Sequence, residues 1–102
     1  IHSFRMMTME AFLESIRESG DPPADLSEEL RSLWLAKAGR WEESHDIAQE
    51  IPSATGSWIH GLLHAIEGDS GNAAYWFQKA GRPAIQKSEI DAEWDKIVRA
   101  LL

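Results

Sequence analysis

The sequence predicts an all-α domain of six short antiparallel helices, and three observations support this fold class. Apolar residues recur at spacings of three and four along most of the chain, as they do on one face of a helix. Capping residues, glycines and prolines separate these periodic stretches, and no stretch shows the sustained alternation that is typical of a β-strand. Connections of about 2–8 residues make sequential helices neighbours in space. We therefore expect residues 1–102 to form a single helical domain.

The first two helices are predicted on either side of an Asp-Pro-Pro stretch at residues 21–23. The first covers residues 8–19 and ends before Gly20, and its apolar face consists of Met9, Phe12, Leu13 and Ile16. Asp25, which is followed three residues later by Glu28, predicts a capping box for the second helix. That helix ends at Gly39, and its apolar residues are Leu26, Leu30, Leu33 and Trp34.

The third helix is predicted to begin near Trp41 and to end before Pro52, which lacks the N–H needed to continue a helix. Its apolar residues include Ala48 and Ile51. Residues 52–57 are expected to form a short polar linker. The fourth helix follows and ends at Gly68, with an apolar face made of Ile59, Leu62, Leu63 and Ile66.

Two further helices complete the predicted fold. Asp69 or Ser70 is expected to cap the fifth, which stops at the Gly-Arg-Pro sequence of residues 81–83. Ser88 and Asp91 predict the cap of the last helix, whose apolar residues are Ile90, Trp94, Ile97, Val98 and Leu101. The predicted units are therefore an N-terminal helix, hairpins at about residues 25–52 and 56–83, and a C-terminal helix at about residues 86–102.

The two predicted hairpins are related by an offset of 29 residues. At this offset the aligned pairs are Leu30 with Ile59, Leu33 with Leu62, Trp34 with Leu63, Gly39 with Gly68, Ser44 with Ala73, and Ile47 with Trp76. Apolar positions and a turn glycine recur together. This pattern predicts two consecutive helix–turn–helix units that stack on each other, since neither unit can bury its own apolar faces.

Residues 68–80, followed by Pro83, resemble the second half of a tetratricopeptide repeat (TPR). The residues that match its turn, small and aromatic positions are Gly68, Asp69, Ala73, Phe77 and Ala80, with Gly61 at the small position of the preceding helix. The similarity covers residues 26–83 and includes small TPR-like proteins to which no activity is assigned. The resemblance implies TPR-like antiparallel hairpins, which usually serve as scaffolds that bind peptides or partner proteins.

Charge and composition restrict the classes of function. Ten Lys and Arg against seventeen Asp and Glu give a net charge of −7, which disfavours nucleic-acid and membrane-surface partners. The absence of cysteine excludes disulfides and thiolate metal sites. No apolar run approaches the ~18–20 residues of a membrane span, and the first residues lack the apolar stretch of a signal peptide. We therefore expect a soluble cytoplasmic protein.

The sequence contains no catalytic or cofactor-binding motif that we can identify. It lacks a nucleophile elbow, a phosphate-binding glycine loop and a calcium loop. The paired carboxylates Glu28-Glu29 and Glu42-Glu43 lie in first helical turns, where they favour the positive end of the helix dipole. We therefore expect a protein that is not an enzyme and that uses no cofactor.

His60, His64 and Glu67 are the one cluster whose spacing suggests chemistry. At i, i+4 and i+7 the three side chains share one flank of the fourth helix. Two imidazoles one turn apart can bind a divalent metal or handle a proton, with Glu67 as a third ligand and His45 from the preceding hairpin completing the site. The alternative interpretation is structural, with these side chains flanking the core and hydrogen-bonding to one another.

The five tryptophans and the basic residues suggest where a partner would bind. Trp34, Trp76 and Trp94 fall on apolar stripes and are expected in the core, whereas Trp41 and Trp58 begin helices and either close the stack or line a groove. Residues 70–88 hold three positive charges and no negative ones, which suits an acidic partner.

These observations favour a non-enzymatic module that binds a protein or peptide in a groove between helices. The residues expected to contact the partner are Trp58, His60, His64, Tyr75, Lys79 and Arg82. A homodimer formed through the exposed face is a second hypothesis. The third is a metal or proton-handling site on His60, His64, Glu67 and His45.

Overall fold

Six α-helices account for most of the chain in a computed structural model that describes residues 7–102. They are α1 (Met9–Glu18), α2 (Glu28–Lys37), α3 (Trp41–Ala48), α4 (Ala54–Ile66), α5 (Ser70–Lys79) and α6 (Ile90–Leu101). A single 3₁₀ turn, Lys87–Glu89, precedes α6. Residues 7–102 contain no β-strand. The prediction of an all-α fold is confirmed.

The start of α2 differs from the prediction. Ser27, and not Asp25, is the N-cap residue, and its side chain accepts a hydrogen bond of 3.2 Å from the backbone N–H of Leu30. A serine in this position satisfies one of the free N–H groups in the first turn of a helix. Leu26 consequently lies before the helix, where it packs against the core as a half-buried residue.

Helix α4 begins earlier than predicted, because most of the expected linker at residues 52–57 is helical. Ser53 is the N-cap, and its side chain accepts a hydrogen bond of 3.1 Å from the N–H of Gly56. At α6, the backbone N–H of Gln86 donates to the Glu89 carboxylate at 2.6 Å, so the expected Ser88 and Asp91 pair is not the cap. The starts of α4 and α6 both lie in polar stretches, where there is no apolar periodicity to mark them.

Two hairpins, α2–α3 and α4–α5, are closed by matching turns. Gly39 and Gly68 occupy equivalent positions in these turns and have φ angles of +82° and +88°. This left-handed conformation is accessible to glycine at low cost and ends a helix sharply. The 29-residue offset in the sequence therefore corresponds to equivalent turns in the structure.

Small residues let the two helices of each hairpin approach closely. In α2–α3, the Ser32 hydroxyl donates to the Ser44 carbonyl at 2.9 Å, and the Ser44 hydroxyl donates to the Ser32 carbonyl at 2.6 Å. In α4–α5, a Cβ atom at Gly61 would lie 3.1 Å from the Phe77 backbone nitrogen and 3.2 Å from the Ala73 carbonyl oxygen. Ser32 and Gly61, like Ser44 and Ala73, are 29 residues apart.

Helix α4 lies at the centre of the fold. It contacts α2, α3, α5 and α6, and its residues from Gly56 to His64 are all buried. Ile59, Leu62 and Leu63 are completely inaccessible to solvent. Although α4 is the most apolar helix, it has only 13 residues, and no helix within residues 7–102 is long and apolar enough to cross a membrane.

The first and last helices cover the open side of the hairpins. Phe12 of α1 packs on Trp94 of α6 with ring centroids 6.0 Å apart. The indole N–H of Trp94 donates to the Leu33 carbonyl at 2.8 Å, and that of Trp34 donates to the Ser15 hydroxyl at 2.9 Å. These bonds allow the large indoles to be buried without leaving a donor unpaired.

Candidate metal centre

Three histidines from two helices meet where α3 packs against α4. His45 lies in the last turn of α3, and His60 and His64 lie one turn apart on α4. The Nε2 atoms of His45 and His60 are 2.9 Å apart. One ring nitrogen from each histidine can be chosen so that all three lie within 4.8 Å of one another. The packing of α3 against α4 therefore brings three potential metal ligands together.

The cluster lies below the surface of the protein. His60 is 6% exposed and His64 is 8% exposed, whereas His45 is half-buried at the rim. The buried position follows from α4, whose neighbouring residues face the core on every side. Buried imidazoles are uncommon unless their nitrogens have partners.

Aromatic rings form the walls of the cluster. His60 stacks between His64 and Trp76, with ring centroids 4.9 Å and 4.0 Å away. His45 stacks on Trp41 at 4.8 Å and meets His60 and His64 edge-on. The Trp41 indole N–H donates to the Leu63 carbonyl at 2.7 Å, which fixes this wall against α4. The three imidazoles are therefore held in place by packing on both sides.

Glu67 contacts His64 but is not one of the three residues whose ring nitrogens converge. The Nδ1 atom of His64 and a Glu67 carboxylate oxygen are 2.7 Å apart, a hydrogen bond in which Nδ1–H donates. The other ring nitrogen of His64, Nε2, is then unprotonated when the ring is neutral. The four residues expected from the sequence fall into two overlapping groups of potential ligands: His45, His60 and His64 at the centre, and His64 with Glu67 and Asp69 beside it.

Electrostatics keep His60 in its neutral form. Burial of the ring, together with the neighbouring His45 and His64, lowers the pKa of His60 to about 4. A neutral imidazole has one nitrogen with a free electron pair, which is the form that binds a metal. Near neutral pH His60 can therefore act as a ligand without first losing a proton.

The six residues expected to contact a partner do not share one surface. Trp58 is 5% exposed, and its indole N–H donates to the buried Glu93 carboxylate at 2.8 Å. His60 and His64 belong to the buried cluster. Tyr75, Lys79 and Arg82 are exposed. A partner on the outside of the fold would meet this second group of three.

Two residues of the centre were not anticipated in this role from the sequence. Trp76 was expected in the core but is half-buried and stacks on His60, and Trp41 stacks on His45. The i, i+4 spacing of Trp41 and His45 on one helix face is the sequence feature that points to their contact. The position of Trp76 depends on how α5 packs against α4.

Comparisons of this chain with protein-family models, curated proteins and solved structures find no match in any of the three. The TPR-like relationship therefore stays a prediction from the residues. The geometry of the histidine cluster is the observation from which a function can be inferred.

Proposed function

We propose that this protein binds one divalent transition-metal ion, with Zn²⁺ as the best-fitting species, through His45, His60 and His64. The observation that supports the proposal is the convergence of three ring nitrogens to within 4.8 Å at a buried point. Three imidazoles with a fourth position for water or another ligand are a common arrangement around Zn²⁺.

The distances suit an ion of this size. A Zn–N bond of about 2.0–2.1 Å and tetrahedral angles place ligand nitrogens about 3.3 Å apart. The Nε2 atoms of His45 and His60 are 2.9 Å apart, so a small opening of this pair admits an ion. The three ring nitrogens lie within 4.8 Å of one another, so small side-chain rotations bring them to this spacing.

Glu67 supports the proposal as a residue that orients a ligand. Metal-binding histidines commonly donate their second ring N–H to a carboxylate, which fixes the tautomer and strengthens the ligand. The His64–Glu67 contact of 2.7 Å has this form.

The chemical nature of the ligands selects the metal. Imidazole nitrogens suit Zn²⁺, Cu²⁺ and Ni²⁺, whereas Mg²⁺ and Ca²⁺ require oxygen ligands. The centre of the cluster is made of nitrogen ligands, and the chain has no cysteine to add a thiolate. Alkaline-earth ions are therefore not expected to compete.

The bound ion would join the two hairpins. His45 belongs to the α2–α3 hairpin, and His60 and His64 belong to the α4–α5 hairpin. An ion that binds only the folded arrangement stabilises it by mass action. We infer that the ion holds the two hairpins together. Its fourth coordination position would be open to an exogenous ligand.

Calorimetric titration of the metal-free protein with ZnCl₂ tests this function. We expect one Zn²⁺ per chain, no binding of Mg²⁺, and loss of zinc binding in His60→Phe, which keeps a ring against Trp76 but removes the ligand nitrogen. Asp46→Asn is the matched control, because Asp46 is an exposed carboxylate next to His45 and is not part of the cluster. Equal zinc binding by the wild type and His60→Phe would contradict the proposal.

A further inference from the structure

The histidines of the proposed metal centre are held in place by different kinds of neighbour. His64 is oriented by Glu67, whose carboxylate oxygen lies 2.7 Å from Nδ1. A carboxylate or carbonyl partner of this kind usually fixes the orientation of a metal-binding imidazole. His60 has none, because within residues 7–102 its ring makes a single hydrogen bond, the 2.9 Å contact with Nε2 of His45. The orientation of His60 must therefore have another source.

Stacking between aromatic rings supplies this orientation. The Trp76 ring lies against His60 with ring centroids 4.0 Å apart and an angle of 17° between the two planes. His64 stacks on His60 at 4.9 Å with an angle of 24°. A ring that is packed between two nearly parallel neighbours cannot tilt without colliding with one of them. Trp76 is therefore the support of His60 that is not itself a proposed ligand.

The position of Trp76 is fixed by the close approach of α5 to α4. Gly61 follows His60 in the chain, and Phe77 follows Trp76. A Cβ atom on Gly61 would lie 3.1 Å from the backbone nitrogen of Phe77, so the two helices touch one residue away from the stacked pair. The Lys79 ammonium also lies 5.1 Å from the centroid of the Trp76 ring. The indole therefore belongs to a closely packed helix pair and is held on both helices.

The packed rings also limit the space around an ion. His60 is 6% exposed and His64 is 8% exposed, and Trp41 stacks on His45 at the other side of the cluster. Besides three imidazoles, a tetrahedral ion needs one further ligand, whereas an octahedral ion needs three. Zn²⁺ commonly has tetrahedral geometry, but Ni²⁺ favours square-planar or octahedral surroundings. An enclosed centre therefore favours Zn²⁺ over Ni²⁺, although imidazole suits both ions.

We infer, on the basis of the proposed function, that Trp76 makes this centre selective for Zn²⁺ over Ni²⁺. Trp76 is a positioning residue that acts through His60. It holds the imidazole in one orientation, and it occupies space that the water ligands of an octahedral ion would need. Without the indole, His60 can tilt and water can enter beside it. Zinc affinity then falls, whereas nickel affinity changes little because Ni²⁺ gains the additional water ligands.

Competition with a chromophoric chelator measures the Kd values of Zn²⁺ and Ni²⁺ for the wild type and three variants. Trp76→Leu keeps an apolar side chain but removes the stacked ring, and we expect about a tenfold or greater rise in the Kd of Zn²⁺ with less than about a threefold change for Ni²⁺. Trp76→Phe restores a ring against His60 and should keep the ratio of the two Kd values close to that of the wild type. Tyr75→Leu is the matched control, because Tyr75 is an exposed neighbour on α5 that meets Trp76 edge-on and none of the three histidines. This control should leave the ratio unchanged.

The visible spectrum of the Co²⁺-loaded wild type gives a second readout, which does not depend on the stability of any variant. Four-coordinate Co²⁺ absorbs much more strongly than six-coordinate Co²⁺, and we expect the strong spectrum in the wild type and a weaker one in Trp76→Leu. A six-coordinate spectrum of the wild type would overturn the inference. An equal loss of Zn²⁺ and Ni²⁺ affinity in Trp76→Leu, as a merely structural role would produce, or an unchanged Kd ratio would also overturn it while leaving the metal site in place. Absence of zinc binding by the wild type would contradict the proposed function and this inference together.

Discussion

At the level of single residues, His60 determines how the metal-free protein responds to acid. Its pKa is lowered to about 4 by burial and by His45 and His64, whereas a histidine in an unfolded chain titrates near 6.5. Above pH 6.5 the ring is neutral in both states. Below pH 6.5 the unfolded chain takes up the proton first, so the free energy of unfolding falls as the pH falls towards 4.

The first prediction follows from this direction of the pH dependence of stability. Between pH 6.5 and pH 5 in the presence of EDTA, the wild type should lose about 1–2 kcal/mol more unfolding free energy than His60→Phe, at about 1.4 kcal/mol per unit of differential protonation. Urea denaturation followed by circular dichroism measures both proteins. Parallel pH profiles for the two proteins would show that His60 titrates normally.

Glu67 is the subject of the second prediction. Glu67→Gln removes the carboxylate that accepts the His64 Nδ1–H bond but leaves the three ring nitrogens in place. Zinc affinity should fall about 10–100-fold without being abolished, the usual cost of losing such a supporting residue. Competition with a chelating dye measures the change, and Glu42→Gln, an exposed carboxylate on α3, should leave the affinity unchanged. A complete loss of binding would instead make Glu67 a direct ligand.

At the level of elements, the start of α4 depends on a close contact that only glycine permits. A Cβ atom on Gly56 would overlap the carbonyl oxygen and side chain of Ile51. Gly56→Ala should therefore destabilise the fold by about 2 kcal/mol or more, although alanine is the better helix former. The readout is the urea midpoint at constant slope.

Gly71→Ala is the control for this third prediction. Gly71 lies in the first turn of α5, and the nearest atom to a Cβ there is 4.0 Å away. The same substitution should leave stability unchanged or raise it by up to about 1 kcal/mol. If both variants showed the same change, the packing of Ile51 against Gly56 would have no energetic role.

The elements were predictable from the sequence where apolar periodicity and caps agree. α5 has the expected cap, Asp69, and α1 falls within the expected residues 8–19 with Thr8 as its cap, because each helix is a clear periodic stretch. The start of α4 was missed because Ala-Thr-Gly-Ser at residues 54–57 presents no large apolar residue. Its helical state depends on the Ser53 cap and on tertiary contact with Ile51.

The geometry of the site was predictable only within one helix, although His45 was also expected to complete the site. The spacing of His60 and His64 fixes their shared flank of α4, and the structure places their rings 4.9 Å apart. The role of His45 depends on the packing of α3 on α4, and periodicity alone does not determine this. Glu67 lies at the end of α4, where its side chain reaches Nδ1 of His64 and not the centre of the cluster.

At the level of the whole molecule, the metal ion would add a bond between two hairpins that otherwise meet through apolar packing. The fourth prediction is that ZnCl₂ at 100 times its Kd raises the unfolding free energy by about 2.7 kcal/mol. For a domain of this size, that corresponds to an increase in Tm of roughly 10 °C or more. Thermal melts with and without zinc measure it, and His45→Phe should show no increase.

X-ray absorption at the zinc edge of the zinc-loaded protein tests the central claim most directly, because it measures the ligands of the ion itself. The account predicts one zinc per chain after dialysis, with three imidazole nitrogens at about 2.0–2.1 Å and one further light atom. His45→Phe should retain no zinc after the same dialysis. No retained zinc, or a shell of oxygen ligands without imidazole scattering, would contradict the account and leave the three histidines as a packing cluster.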